Sequence, residues 1–272
     1  MNIPDFSTAR VAVIGDYIID EYWHCTSERI SPEAPVPVCQ IVKTEQRAGG
    51  AGNVERGVVK MGGKCHLTAV VRPEHRKVRV VVGKHQVARV DYTPDRVEYF
   101  NAWEHKDDDI RNAVAQHNVV VISDYGRMPQ SSIRFAIEEA KRQRRFVIVD
   151  PKRPDPKLYA GAELITPNEK EWQALGERLP PGNQYALVTL GERGMVLYRK
   201  GEKPVKIETV ARDVIDVTGA GDTVVATVAT ALSAGYPIVE AVRYANIAAG
   251  IAVEHFGTYA VSIEELRGRI DE

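Results

Sequence analysis

Cysteine is scarce: three residues, Cys25, Cys39 and Cys65, in 272 positions, with no CxxC pair among them. An odd, scattered set argues against a disulfide framework and against a structural zinc site, and it suits a reduced, cytoplasmic setting. The seven histidines are equally dispersed and no HExxH occurs, so the common zinc-hydrolase signature is missing. Charge of one sign is also missing. A net charge of −1 offers no global attraction for nucleic acid or an anionic membrane, and neither is expected as a partner. No apolar run is long enough to span a bilayer, and MNIPDFSTARVAVIGD lacks the basic start and apolar core of a signal peptide. Internal repeats and low-complexity linkers are absent. What remains, 44% hydrophobic and 27% charged residues, is ordinary globular composition, and the length suits one main domain with at most a small appendage.

What is present is an alternation of short apolar runs and helical patterns. RVAVIG (10–15), VVVIS (119–123), RFVIVD (145–150), ELIT (163–166) and ALVTL (186–190) are nearly continuous apolar stretches, as expected for strands buried on both faces of a parallel sheet. Helices are predicted over 51–62, 107–117, 129–143, 168–175, 220–234, 237–255 and 262–270. That rhythm predicts a layered α/β fold with right-handed crossovers and ligands beyond the C-terminal strand ends. Two stretches break it. ISPEAPVPVCQIVKTEQ (30–46) is extended and punctuated by proline, and KVRVVVGKHQVARVDY (77–92) reads as a hairpin about Gly83-Lys84-His85. Together they predict a small separate β-sheet that acts as a lid.

Several candidate sites lie at predicted element ends. In DVTGAGDTVVATVATALSAG (216–235), Gly219, Ala220 and Gly221 precede a helix. Its first N–H groups lack intrahelical partners and sit at the positive end of the dipole, which makes an anion site. Asp222 in that first turn either stabilises the helix terminus or takes a proton from a substrate hydroxyl. GVVKMGGKC (57–65) resembles a phosphate loop but fails GxxxxGK[ST] at Gly63 and Cys65, and reads as a helix C-terminus. In GGAGNVERGVVKMG (49–62), Gly49, Gly50 and Asn53 open a helix, either as a capped turn or as a sugar-hydroxyl site. Asp16 and Asp20 follow the first strand, where a carboxylate is either a solvated turn residue or an acceptor for two hydroxyls. Asn168 and Glu171 have capping-box spacing and also share one helical face, where Mg²⁺ with its waters can sit; the two roles are compatible. TLGERG (189–194) and DPK (150–152) are further strand ends.

Taken in order, GD…D, GGAGN, TPNEKE, TLGERG and DVTGAGDT resemble the ribokinase-like (PfkB) family of carbohydrate kinases across nearly the whole chain. VIGDYIIDEYWHCTSERISPEAPVPV (13–38), SDYG, VIVDPKR and LITPNEKEW are more closely similar to the kinase domain of bacterial heptose 7-phosphate kinase and ADP-heptose synthase proteins. The resemblance implies a three-layer α/β sandwich with a mostly parallel sheet and a β-lid from 19–46 and 77–100. It implies one kinase domain over 1–272 without the nucleotidyltransferase domain of bifunctional members. The implied reaction is phosphorylation of the anomeric hydroxyl of D-glycero-D-manno-heptose 7-phosphate by ATP and Mg²⁺, with a monovalent cation as a further candidate. Asp222 is then similar to the family's catalytic base, and Gly219, Ala220 and Gly221 to its anion hole. Asp16, Asp20, Gly49, Gly50, Asn53 and Asp124 match sugar-binding positions. Asn168 and Glu171 match the motif that organises Mg²⁺. Thr189, Gly191, Gly194 and Asn246 fall beside the nucleotide. Arg79 and Lys152 are expected to hold the 7-phosphate, because buried phosphate recognition favours cationic forks. Exposed lid strand edges predict a homodimer through the lid.

Two departures from the family pattern stand out. After HLTAVV (66–71) the family continues with a turn, a helix and another strand, whereas here RPEHR leads straight into KVRVVV. That leaves Arg72, His75, Arg76 and Lys77 close together near the lid, as a solvated loop or a sugar-phosphate site. SDYGRM carries Arg127 and Met128 where the heptose group has SDYxKG, which changes the charge geometry and the turn.

Overall fold

The strongest structural signal in the sequence is the alternation of continuous apolar runs with helical patterns, and the computed structural model, which describes residues 3–70, 75–93 and 95–271, realises it as a sheet covered on both faces. In chain order the elements are β1 (Arg10–Thr26), β2 (Gln40–Gly50), α1 (Ala51–Lys60), β3 (Lys64–Val70), β4 (Arg76–Val82), β5 (His85–Tyr92), α2 (Arg96–Glu104), α3 (Asp107–Gln116), β6 (Val119–Ser123) and α4 (Gln130–Arg142). There follow β7 (Phe146–Asp150), β8 (Leu164–Ile165), α5 (Glu169–Ala174), β9 (Tyr185–Thr189), β10 (Met195–Arg199), β11 (Val205–Ile207), α6 (Ala220–Ser233), α7 (Ile238–Val253) and α8 (Ile263–Asp271).

The main sheet runs β3-β1-β6-β7-β8-β9-β10-β11; it is parallel from β3 to β9 and antiparallel beyond. Alternate side chains of one strand enter different cores, as a period of two requires. Val11 and Val13 join α1, α6, α7 and α8 in one core, while Ala12 and Ile14 join α2, α3, α4 and α5 in the other. Val119 and Val121 against Val120 and Ile122 divide in the same way. This is the three-layer α/β sandwich expected from the sequence.

Helix α6 can be buried because its hydroxyls bond internally. Thr223, Thr227 and Thr230 donate to the carbonyls of Gly219, Thr223 and Ala226, so no hydroxyl enters the core unpaired. The 57–65 segment ends α1 with a turn at Met61 and Gly62, the latter at φ +89°, as expected for a helix C-terminus.

The lid grows out of the main sheet. β1 is 17 residues long; Arg10–Asp16 pair with β3 in the main sheet, and Tyr17–Thr26 pair antiparallel with β2. On its other side the same distal half pairs parallel with β4, and β4 pairs with β5. The hairpin turns at Gly83-Lys84 as predicted. The proline-punctuated stretch contributes only an isolated bridge between Ile30 and Pro37 before β2 begins.

Two elements differ from expectation. The lid strands stop at Tyr92, and residues 96–100, assigned above to the lid, belong to α2. The Asp95 carboxylate caps it by accepting from the amides of Val97 and Glu98, and Tyr99 and Trp103, four residues apart, enter the second core. VARDVIDV (210–217), read as a strand or extended run, forms no strand; its Ile215 and Asp216 amides bond the Val253 carbonyl at the end of α7. Arg72 lies outside the described residues.

Trp103 is fully buried and anchors α2. Trp103→Ala is expected to lower unfolding stability by about 3–5 kcal/mol, measurable as a shift in denaturant midpoint at unchanged slope.

Candidate active site

The cleft opens where parallel strand ends, the start of α6 and the start of α5 converge, the usual ligand edge of such a sheet. It has a volume of about 180 Å³ and is walled by Asp124, Asp150, Lys152, Asn168, Glu171, Thr189, Gly219 and Asp222, with Tyr125 and Thr166 among the rest.

Gly219 is the N-cap of α6, in the left-handed region at φ +79° with no side-chain cap. The first intrahelical bond is from Thr223 N–H to Gly219 C=O, so the amides of Gly221 and Asp222 precede it and belong to the unpaired helix terminus. A Cβ on Gly219 would stand 2.8 Å from Asn53 Nδ2. Glycine here therefore both allows the turn and leaves room for the Asn53 amide to reach Asp222.

Asp222 is 5% exposed. Its Oδ2 accepts from Asn53 Nδ2 at 2.8 Å and its Oδ1 from the Tyr125 hydroxyl at 2.7 Å. Burial raises its pKa to about 6, against the lowering effect of those two donors. Asn53 is fixed in turn, because Arg56 donates to its Oδ1 and also to the Thr258 carbonyl. Tyr125 is held through its backbone: the amides of Tyr125 and Arg127 both donate to Asp16 Oδ2, and the Tyr99 hydroxyl donates to Asp16 Oδ1. Burial of this carboxylate likewise pushes Asp16 up to about 6.

The residues expected from the sequence thus divide into groups. Asp222, Gly219, Gly221, Asn168, Glu171, Thr189, Lys152 and Asp124 share the cleft. Asp16 and Asn53 lie behind it, with their polar atoms directed to Tyr99, the 125–127 turn, Asp222 and Arg56. Asp124 accepts from Gly126 N–H, Arg153 and Tyr159, which fixes the same turn from its other side. Asp20 and Arg79 form a buried ion pair in the lid, with the Arg79 guanidinium over the Tyr22 ring. Gly49 is needed there because a Cβ would collide with the Asp20 carboxylate. Gly50, at φ +57°, turns β2 into α1. Arg79 and Lys152 are not brought to one point: Lys152 Nζ bonds Glu171 at 3.0 Å, on the cleft wall beside Asn168.

Asn168 and Glu171 form the complete capping box of α5, and Asn168 bridges to Thr189. Asn246 donates to the Glu208 carbonyl, and a Cβ on Gly194 would strike the Ile207 carbonyl, so both fix the segment after β11. Gly191 stands in open space at φ +61°. Sequence reasoning overlooked Tyr125 and Asp150. Asp150 ends β7, accepts from Thr166, and has its carboxyl held well above the ordinary range by desolvation and by the charges of Asp222 and Glu171. Both residues sat in quoted motifs, SDYG and DPK, at strand ends.

The architecture is that of the ribokinase-like kinases. A ribokinase from Arabidopsis thaliana, solved with ribose and ATP, superposes with a TM-score of 0.78 over 97% of this chain and 99% of its own, at 20% identity. Escherichia coli phosphofructokinase-2 gives 0.75 over 97% and 98%, at 16%. Residues 76–266 match the model of the pfkB family carbohydrate kinases, and the chain belongs to that family. It is a phosphotransferase with an alcohol group as acceptor. Curated relatives named bifunctional protein HldE are similar along the chain: that of Alkalilimnicola ehrlichii is 38% identical over 316 aligned positions covering 100% of this chain, and that of Pseudomonas aeruginosa is 36% identical over 98%. The chain spans 65% of the length of these relatives.

The raised pKa of Asp222 has a stability consequence. The folded state binds this proton more tightly than the unfolded chain, so the stabilisation is complete below about pH 4 and is lost as pH rises through about 6. Asp222→Asn is therefore expected to raise stability at pH 8, by about 2–3 kcal/mol, with the gain over the parent shrinking toward pH 5. Thermal unfolding at the two pH values measures this.

Proposed function

We propose that this carbohydrate kinase transfers the γ-phosphate of ATP to the anomeric hydroxyl of D-glycero-D-manno-heptose 7-phosphate, giving the 1,7-bisphosphate. The observation that carries the phosphoryl transfer is the Asp222 carboxylate, buried, doubly hydrogen-bonded and placed at an unpaired helix N-terminus. The similarity to the HldE relatives, together with the ERISPEAPVPV stretch, supports the sugar.

In this reading Asp222 accepts the proton of the attacking hydroxyl, and a pKa near 6 leaves it ionised at neutral pH yet still basic. Asn53 and Tyr125 hold its two oxygens, so the base does not reorient during the step. The unpaired amides at Gly221 and Asp222 face the charge that grows on the phosphoryl oxygens. Oxygen donors suited to a hydrated Mg²⁺ stand nearby: Asn168, Glu171 and the charge-crowded Asp150. Bound Mg²⁺ supplies charge neutralisation between the phosphates. The nucleobase is assigned to the surface around Asn246, where Val210, Val214, Ile215 and Val217 are exposed in the segment packed on α7. The lid, lined by Asp20 and Arg79, covers the sugar and excludes water. Its exposed strand β5 is assigned to a homodimer contact.

A second reading, a kinase for another sugar or sugar phosphate, draws on the RPEHR sequence that stands in place of the family's extra helix and strand and on the occupied Asp16 carboxylate. ADP release across a panel of sugars and sugar phosphates separates the two, and ATP binding without turnover on any acceptor would point to a non-catalytic homologue.

Asp222→Asn is expected to reduce turnover by roughly a thousandfold or more while ATP still binds; near-normal turnover rules out the base assignment. The kcat/KM of the parent should fall below about pH 6, and Tyr125→Phe, by removing a donor to the ionised carboxylate, should move that limb to higher pH. Elution as a monomer at micromolar concentration would exclude the lid dimer.

A further inference from the structure

Two cations near Tyr125, the residue that bonds Asp222, form no direct ion pair with a described residue. Lys77 on β4 projects its ammonium over the Tyr125 ring, 5.3 Å from the centroid. Its cross-strand neighbours are Asp20 on β1 and Asp91 on β5, but each is engaged elsewhere: Asp20 with Arg79, and Asp91 with Arg89 through two bonds. Lys77 is half-buried, and burial lowers its pKa. Arg127 is the second. Its backbone amide is fixed on Asp16, two residues beyond Tyr125, while its half-buried guanidinium makes no hydrogen bond or ion pair with any described residue.

His75, which precedes β4, feels both charges. His75 is 4% exposed, its ring edge lies against Tyr99, and its Nδ1 has no hydrogen-bond partner among the described residues. Burial, then Arg127, then Lys77 push its pKa down to about 4, so the imidazole is neutral and both cations act on it. Half-buried cations without a direct ion pair carry a desolvation cost that an anion would relieve, and for Lys77 the pull of Asp20 and Asp91 offsets it only in part. Such an anion would lie beside Tyr125, on the lid side of the base and away from the cleft wall that holds Lys152, Asn168 and Glu171.

We propose that Lys77 and Arg127 form the site for a phosphate carried by the acceptor sugar at a position remote from the attacking hydroxyl, next to buried His75. This deepens the sugar-phosphate reading and rests on it, but moves recognition away from Arg79 and Lys152, whose charges are paired within the protein. Arg127 is one of the two residues that depart from SDYxKG, and the Arg fork suits a dianion.

The test is calorimetric binding of heptose 7-phosphate and of the unphosphorylated heptose to the parent, Lys77→Gln and Arg127→Gln. The parent should prefer the phosphorylated sugar by roughly tenfold or more, each variant should lose most of that preference, and Lys77→Arg should retain it in part. Equal affinity of the parent for both sugars, no binding of either, or variants that weaken both sugars alike would overturn the site. The unphosphorylated sugar thus serves as the control for folding. Turnover is followed separately. Phosphate-dependent binding without ADP release would sink the kinase proposal and leave the anion site standing. Turnover with no phosphate preference would do the reverse.

Discussion

A buried, doubly hydrogen-bonded carboxylate is the constraint around which this protein's cleft is arranged. Burial of Asp222 favours the proton, and the hydrogen bonds from Asn53 and Tyr125 oppose it. Each donor depends on a further layer. Asn53 is oriented by Arg56, and Tyr125 by a turn whose amides converge on Asp16 and whose other flank is tied to Asp124. The glycine at 219 belongs to the same requirement, since any side chain there would displace the Asn53 amide. α1, α2, β6, the following turn and α6 are therefore linked through one carboxylate. Tyr99, on a helix far along the chain from the first strand, completes the set by donating to Asp16.

The same economy of charge explains the lid. Its inner row places Asp20, Lys77 and Asp91 side by side across β1, β4 and β5. Arg79 and Arg89 pair directly with the two acids and leave the lysine only their longer-range pull. Arg79 and Lys77 look equivalent in KVRV, two positions apart on one strand face, but their neighbours make one an internal structural cation and the other available. Only cross-strand register separates them, and register is a long-range property.

That distinction marks how far the sequence can be read. Strands β6 and β7 were legible because continuous apolar runs bounded by turns have few other uses, and α6 and α7 because small-residue periodicity and a Gly219 start define them. Asp222, Asn168 and Glu171 were legible because they sit at element starts in an ordered set of motifs. α2 was not, because RVEYF, rich in β-branched and aromatic residues, resembles strand; the signals were Asp95 as a cap and the Tyr99–Trp103 spacing. The antiparallel β10–β11 edge gave no distinct pattern. The roles of Asp16 and Asp124 were half legible: their place at strand ends was visible, but not that both carboxylates turn inward to brace the segment carrying Tyr125. Tyr125 itself became recognisable only when a partner 97 residues away came within 2.7 Å.

β1 is shared by the main sheet and the lid, without a break between Asp16 and Tyr17. The lid therefore has no free hinge on that strand. It is a cantilever clamped in the rigid core, and displacement of its tip must pass through β1 as elastic twist and bending. Force applied at the lid tip is delivered at Asp16, the root of the beam, which is also the residue that holds the turn bearing Tyr125. The lid and the turn bearing Tyr125 are thus tied to one continuous strand.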